Sequence, residues 1–199
     1  FPYTTLFRSE FSRLKLKESD KLLIMSASEA YFLRAEGALK NWNMNGNAKE
    51  FYEKGVTVSM EERGVSVGNY LYDSYSTPAD YVDPTDSGKN RAAVSKITPA
   101  YDESAGDAAN LERILVQKWI ANFPNGWETW ADIRRTGYPK HFPIVNNLNT
   151  DGVTIERGMR RLPYPQSEYN TNRANVEAAV SMLGGADNSA TDLWWAKKN

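Results

Sequence analysis

The chain has 199 residues, 41% hydrophobic and 12% aromatic, enough to bury a real core within one domain. A formal net charge of −1, with no block of Lys or Arg, leaves no basic face to displace counterions and argues against nucleic acid as a partner. Cysteine is absent, which excludes disulfides, thiolate chemistry and Cys-based zinc sites, and no run of about 18 apolar residues exists to span a bilayer.

Residues 1–9, FPYTTLFRS, look like a translated sequencing-adapter read and are set aside as a non-native segment, so that 10–199 carries the fold. Glu10 to Met25 reads as a charged approach segment. Ser26-Ala27-Ser28-Glu29 has the spacing of a capping box, in which each side chain satisfies a free amide of the first turn, and it predicts a helix to about Asn41. The apolar face of that helix is expected at Ala27, Tyr31, Ala35, Ala38 and Trp42. Asn47-Ala48-Lys49-Glu50 is a second box of the same kind, opening a helix to about Arg63. Ala48, Tyr52 and Gly55 then have the small-aromatic-small spacing of a tetratricopeptide helix, so 26–64 is predicted to be a helical hairpin. Spacing alone is met as well by an ordinary hairpin, because no second copy of the repeat follows.

From 65 to 106 the composition turns to Pro, Ser, Asp, Thr and Tyr, the mark of an irregular excursion that opens with a short helix at Val67 to Asp73. A helical region, 107–199, completes the chain. Asp107 is expected to cap a helix whose apolar residues Leu111, Ile114, Leu115, Val116, Trp119, Ile120 and Phe123 surround most of its circumference, the pattern of a buried helix. Glu112 falls among them and needs a partner, for which Arg134 or Arg135 of the next helix, Trp127 to Thr136, is the candidate. Asn125-Gly126 is expected to break the first of these two helices. A short extended segment is predicted at Arg160 to Tyr164, and a last helix at Arg173 to Leu183, capped by Asn172 and closed by Gly184-Gly185. Trp119, Trp127 and Trp130 are assigned to core packing, and Trp194 and Trp195 are expected to fold back as a plug.

Catalytic signatures are missing: no His-Glu-x-x-His, no Gly-x-Ser-x-Gly and no phosphate-binding glycine loop occurs, and no carboxylate pair stands out. His141 reads as a turn residue and the acids from Asp83 to Gly88 as a solvated turn rather than a calcium loop, so no metal and no cofactor is assigned. Sugars present flat C–H faces between hydroxyls, and a site for them needs Tyr or Trp platforms rimmed by Asn, Asp or Gln. The excursion has that composition, with Tyr72, Tyr75 and Tyr81 as the candidate ligand-binding residues.

LERILVQKWIANFPNGWETWADIRRTGYP, followed by RRLPYPQSEYNTNRANVEAAVSMLGGADNSATDLWW, resembles the C-terminal part of the SusD/RagB family of nutrient-binding outer-membrane lipoproteins, and the likeness runs from about Lys21 to the end. The resemblance implies an all-α fold with tetratricopeptide-like hairpins and long irregular loops. It also implies capture of glycan or another nutrient at the cell surface for delivery to a SusC-like TonB-dependent transporter. Family members are much longer and begin with a lipidated cysteine, so this sequence is read as truncated, attached to the membrane only through a lipid anchor it lacks. A helical glycoside hydrolase and a repeat adaptor binding only protein partners are the alternative readings; the family implies no enzyme.

Overall fold

The computed structural model describes residues 17–19 and 23–196, and the segment 1–9 lies outside them. The fold is all-α. Helices α1 (Ala27–Leu39), α2 (Ala48–Glu62), α3 (Gly106–Asn122), α4 (Gly126–Thr136), α5 (Gln166–Thr171) and α6 (Arg173–Leu183) are joined by irregular segments, and the β structure among the described residues is a single Tyr81–Arg91 bridge. No described helix is long and apolar enough to cross a membrane. Contacts divide the chain after Asn125 into two compact units.

In the first unit, α1 and α2 form the predicted hairpin. The start of α1 meets the end of α2 through Ala27 N and Ser28 Oγ, which donate to Glu62 at 3.1 and 3.0 Å, while Arg34 stacks on Phe51 near the start of α2. The pair is therefore antiparallel. Asn47 and Glu50 close their capping box in both directions. The first box closes in one direction only: Ser26 accepts from the Glu29 amide, but the Glu29 carboxylate turns inward, where Asn122 donates to it at 2.9 Å and the Lys118 ammonium lies 3.5 Å away. The buried face of α1 is Ser28, Phe32 and Ala35 with Glu29 and Glu36, so the expected face is corrected: Phe32 was missed and Trp42 stands in solvent. Phe32, Tyr52, Val56, Ile114 and Ala121 form the core, and Phe32 reaches the core because Gly55 has no side chain there; a Cβ at that position would sit 2.8 Å from the Phe32 ring.

Helix α3, grouped by sequence with the C-terminal region, packs against the hairpin; Ile114, Leu115 and Glu112 are buried as expected, but the polar strip and the last turn depart from the expectation. Its polar residues Asn110, Glu112, Arg113, Gln117, Lys118 and Asn122 are buried, whereas Trp119 and Phe123 are 50% and 56% exposed. The reason is the supply of partners: each buried polar group has an acceptor or donor in the first unit, so the polar strip is drawn inward and the apolar last turn is left outside. The helix starts at Gly106 without a side-chain cap, Asp102 instead capping the 3-10 turn Glu103–Ala105 before it. It ends at Asn122, ahead of the Phe123–Pro124 bond, because proline disfavours helical backbone in the residue before it.

The second unit buries little apolar surface: Val153, Val176 and Ala196 are its buried hydrophobic residues among those described. Guanidinium groups organise it instead. Arg134 lies 3.7 Å from the centre of the Trp130 ring and 4.8 Å from that of Trp195, and Arg134 and Arg160 donate to each other's carbonyls at 2.9 and 2.8 Å. Asp192 receives Arg160 at 2.6 Å and Arg157 at 2.5 Å, while Asp187 receives Arg161, the Tyr169 hydroxyl at 2.7 Å and the Tyr164 amide. Trp195 docks as expected of a plug, but Trp194 is solvent-exposed, and so is Trp127, which rests against Trp130 with its ring centroid 5.7 Å away. Residues Arg160 to Tyr164 form no strand. Helix α6 ends as predicted, with Gly184 left-handed at φ 69°, but the Asn172 side chain accepts no backbone amide of the first turn, and the preceding polar helix α5 was unforeseen.

Candidate functional site

Long loops need internal partners to hold a shape. The 65–106 excursion takes them from the helices: Tyr52 donates to Pro99 O at 2.5 Å, Arg113 to Thr98 O at 3.0 Å, Asn110 to Asp102 O at 2.9 Å and Gln117 to the Tyr70 hydroxyl at 2.7 Å. Ser95 adds a reverse tie, donating to the buried Glu112 carboxylate at 2.7 Å. Burial pushes the Tyr52 phenol well above its ordinary range, so it is fixed as a neutral donor.

On this base the 3-10 turn Tyr70–Tyr72 and an Asp73 turn present two tyrosines to solvent. Asp73 Oδ1 accepts the Tyr75 and Ser76 amides at 2.9 and 2.8 Å, and Asp73 O accepts the Ala100 amide at 2.9 Å. The hydrogen bonds from Ser76 and then Tyr75 hold the Asp73 carboxyl below its usual range, which keeps it ionised. Tyr72 and Tyr75 are 82% and 92% exposed, and with Met60, Val67, Asn69 and Asp73 they line an open groove of about 750 Å³. Its lining combines apolar and aromatic residues with the amide of Asn69 and the carboxylate of Asp73.

A second groove, of about 490 Å³, is lined by Ser74, Tyr101, Asp102, Glu103, Ser104 and Lys49. Of these, Ser104 carries no local signal in the sequence, and Lys49 is legible there only as an inner position of the Asn47–Glu50 capping box.

The third candidate, Tyr81, lies outside both grooves. Its backbone pairs with Arg91, and its hydroxyl donates to Asp83 at 2.9 Å, a bond that raises the phenol pKa. Asp83 also accepts from Thr85 and the Asp86 amide, so its oxygens are engaged by donors of its own turn. Within their own unit, Arg134 contacts carbonyls and rings and Arg135 pairs with Asp132 at 3.0 Å. Among the described residues no three His, Asp or Glu side chains are grouped to hold a metal, and His141 Nδ1 lies 3.0 Å from Phe142 O.

The helices thus pin an irregular loop that turns Tyr72 and Tyr75 to solvent. The chain matches the SusD-like family of Susd and RagB outer membrane lipoproteins over residues 4–196, and it belongs to that family. A SusD-like protein from Bacteroides thetaiotaomicron shares 55% identity with it at a TM-score of 0.85, covering 88% of this chain and 37% of that one. A chitin-binding SusD homolog from Flavobacterium johnsoniae shares 47% identity, again at a TM-score of 0.85 with 88% and 37% covered. A SusD homolog from Bacteroides uniformis shares 49% at 0.89, with 94% and 40% covered. The chain thus spans less than half the length of these structures. No match was found among curated proteins.

Proposed function

We propose that this chain captures glycan at the bacterial cell surface and passes it to a SusC-like TonB-dependent transporter, with Tyr72 and Tyr75 as the sugar platforms. The observation that carries the reading is the pair of almost fully exposed tyrosines on a loop pinned from below, since large aromatic rings left in water on a fixed backbone offer stacking area at little ordering cost. Asn69 and Asp73 supply hydrogen-bonding groups at the rim. Support for sugar as the ligand comes from the Flavobacterium johnsoniae relative, described as chitin-binding. The Asp73 carboxylate, held ionised by its own turn, offers acceptors to ligand hydroxyls. Anchorage at the outer membrane is proposed from the family.

Titration with chitooligosaccharides tests this. Tyr72→Ala and Tyr75→Ala should each weaken binding by about tenfold or more, and Tyr81→Ala, in the neighbouring turn, by less. Release of reducing ends on incubation would make the protein a glycoside hydrolase, and recovery of a transporter without any sugar affinity would make it an adaptor.

A further inference from the structure

Resting on the glycan reading, we infer that the ligand path does not end at the Tyr72–Tyr75 groove but continues over Ser74 into the groove of Tyr101 and Lys49, so that the site takes an extended oligosaccharide of neutral or amine-bearing units. The two grooves meet in the chain itself. Asp73 and Tyr75 line the first, and Ser74, the residue between them, lines the second. The hydrogen bond from Ala100 N to Asp73 O, 2.9 Å, fixes that junction, because it joins the strand of chain carrying Tyr72 and Tyr75 to the one carrying Tyr101 and Asp102.

The second groove has the same makeup as the first. Tyr101 is braced from behind, its ring centroid 5.4 Å from that of Tyr52 and 5.9 Å from the Arg113 guanidinium, so one aromatic face is fixed at the groove wall. Burial raises its phenol pKa and keeps the hydroxyl a neutral donor. Asp102 takes the Ser104 amide and hydroxyl on Oδ1, at 2.8 and 2.6 Å, and the bonds from Ser104, with the Ala105 amide beside them, hold its carboxyl below the usual range. Neither Glu103 nor Lys49 has an ion-pair partner among the described residues. Donors and acceptors without internal partners beside an aromatic wall match a ligand that is itself rich in hydroxyl groups.

Charge sets the class. Asp73, Asp102 and Glu103 face the path against Lys49, Arg113 being buried behind Tyr101. Three carboxylates to one ammonium repel uronate or sulfate units and accept uncharged or amine-bearing ones.

Calorimetric titration of the 199-residue chain with the disaccharide and the hexasaccharide of chitin tests the inference, with an oligogalacturonate of six units as the acidic probe. The hexasaccharide is expected to bind at least about tenfold tighter than the disaccharide, through the second contact made at high effective concentration. In the double variant Lys49→Ala/Ser104→Ala that ratio should fall toward one, and the oligogalacturonate should bind at least about tenfold more weakly than the chitin hexasaccharide. Equal affinity for short and long chitin fragments, or an unchanged ratio in the double variant, overturns the continuous path; equal affinity for the acidic probe overturns the charge selection. Absence of binding by every saccharide overturns the glycan reading as a whole, an outcome distinct from short fragments binding as well as long ones. Ser104 is exposed and Lys49 half-buried, and an unchanged circular dichroism spectrum of the double variant certifies its fold.

Discussion

The two compact units are held by different physics. The first has an apolar core, Phe32, Tyr52, Val56 and Ile114, and uses its buried polar groups to fasten a long loop. The second has almost no apolar core among its described residues and relies on guanidinium groups sandwiched by tryptophan and paired with Asp187 and Asp192. Carboxylates serve both units, Glu29 and Glu112 in the first and Asp187 and Asp192 in the second, but the first also has an apolar core that does not titrate, so the comparison teaches that acid should loosen the second unit before the hairpin.

The largest expected effect breaks the first half of that contrast. Phe32→Ala removes a fully buried ring from the centre of the core and should cost about 3–5 kcal/mol in urea or thermal unfolding. Next is Glu112→Ala, expected to cost about 3 kcal/mol or more because the buried carboxylate is replaced and its partners are stranded. We keep as a proposal that Arg134 or Arg135 is among those partners. A double-mutant cycle with each arginine measures it, and additive effects in both cycles would remove the pairing.

The second half of the contrast is tested by pH. Burial pushes the carboxyls of Asp187 and Asp192 upward, but hydrogen bonds from Arg161 and Tyr169 to the first, and from Arg160 and Arg157 to the second, outweigh it and leave both below the ordinary range. A carboxyl whose folded pKa is depressed stabilises fully above its unfolded value of about 3.9, and that stability is lost as pH falls through the folded value. Acid titration should therefore shift the emission of Trp130 and Trp195, stacked on Arg134, below about pH 4 while helical signal from the hairpin persists. Asp192→Asn should cost about 2 kcal/mol at neutral pH and shrink the acid-dependent part of the change. Loss of both signals at one pH would merge the two units into one acid response.

Smaller still is Gly55→Ala. Better helix propensity favours the variant by about 1 kcal/mol, yet the new methyl meets the buried Phe32 ring at 2.8 Å, and overpacking of about 1–3 kcal/mol decides the sign toward destabilisation. Tyr75→Ala should change stability by less than about 0.5 kcal/mol, since its ring touches mainly water.

Local signals carried much of the fold into the sequence. Both hairpin helices begin with Ser26 or Asn47 capping, as read, and Gly184 closes α6 because glycine alone takes that left-handed turn freely. The orientation of α3 was not legible. Counting apolar residues around it points Trp119 and Phe123 inward, but what turns the helix is the demand of Glu29, on the distant first helix, for Lys118 and Asn122, and of carbonyls in the irregular loop just before it for Arg113 and Asn110. Helix α5 escaped notice because its residues, Gln166–Thr171, have no apolar period to detect. The arginine–aspartate pairs of the second unit escaped for a related reason, since Arg160 and Asp192 lie far apart in the chain and nothing local couples them. In the candidate site, tyrosine composition drew attention to Tyr72 and Tyr75, but that Tyr81 belongs to a different turn depends on its backbone pairing with Arg91.

The helices grip the excursion largely by its main chain: Tyr52, Arg113 and Asn110 reach the carbonyl oxygens of Pro99, Thr98 and Asp102. A carbonyl is the same whatever residue bears it. Randomising the positions between Ser74 and Ala79 should therefore yield many variants that still fold, and selecting such a library on different polysaccharides would redirect what the loop holds without touching the framework that displays it.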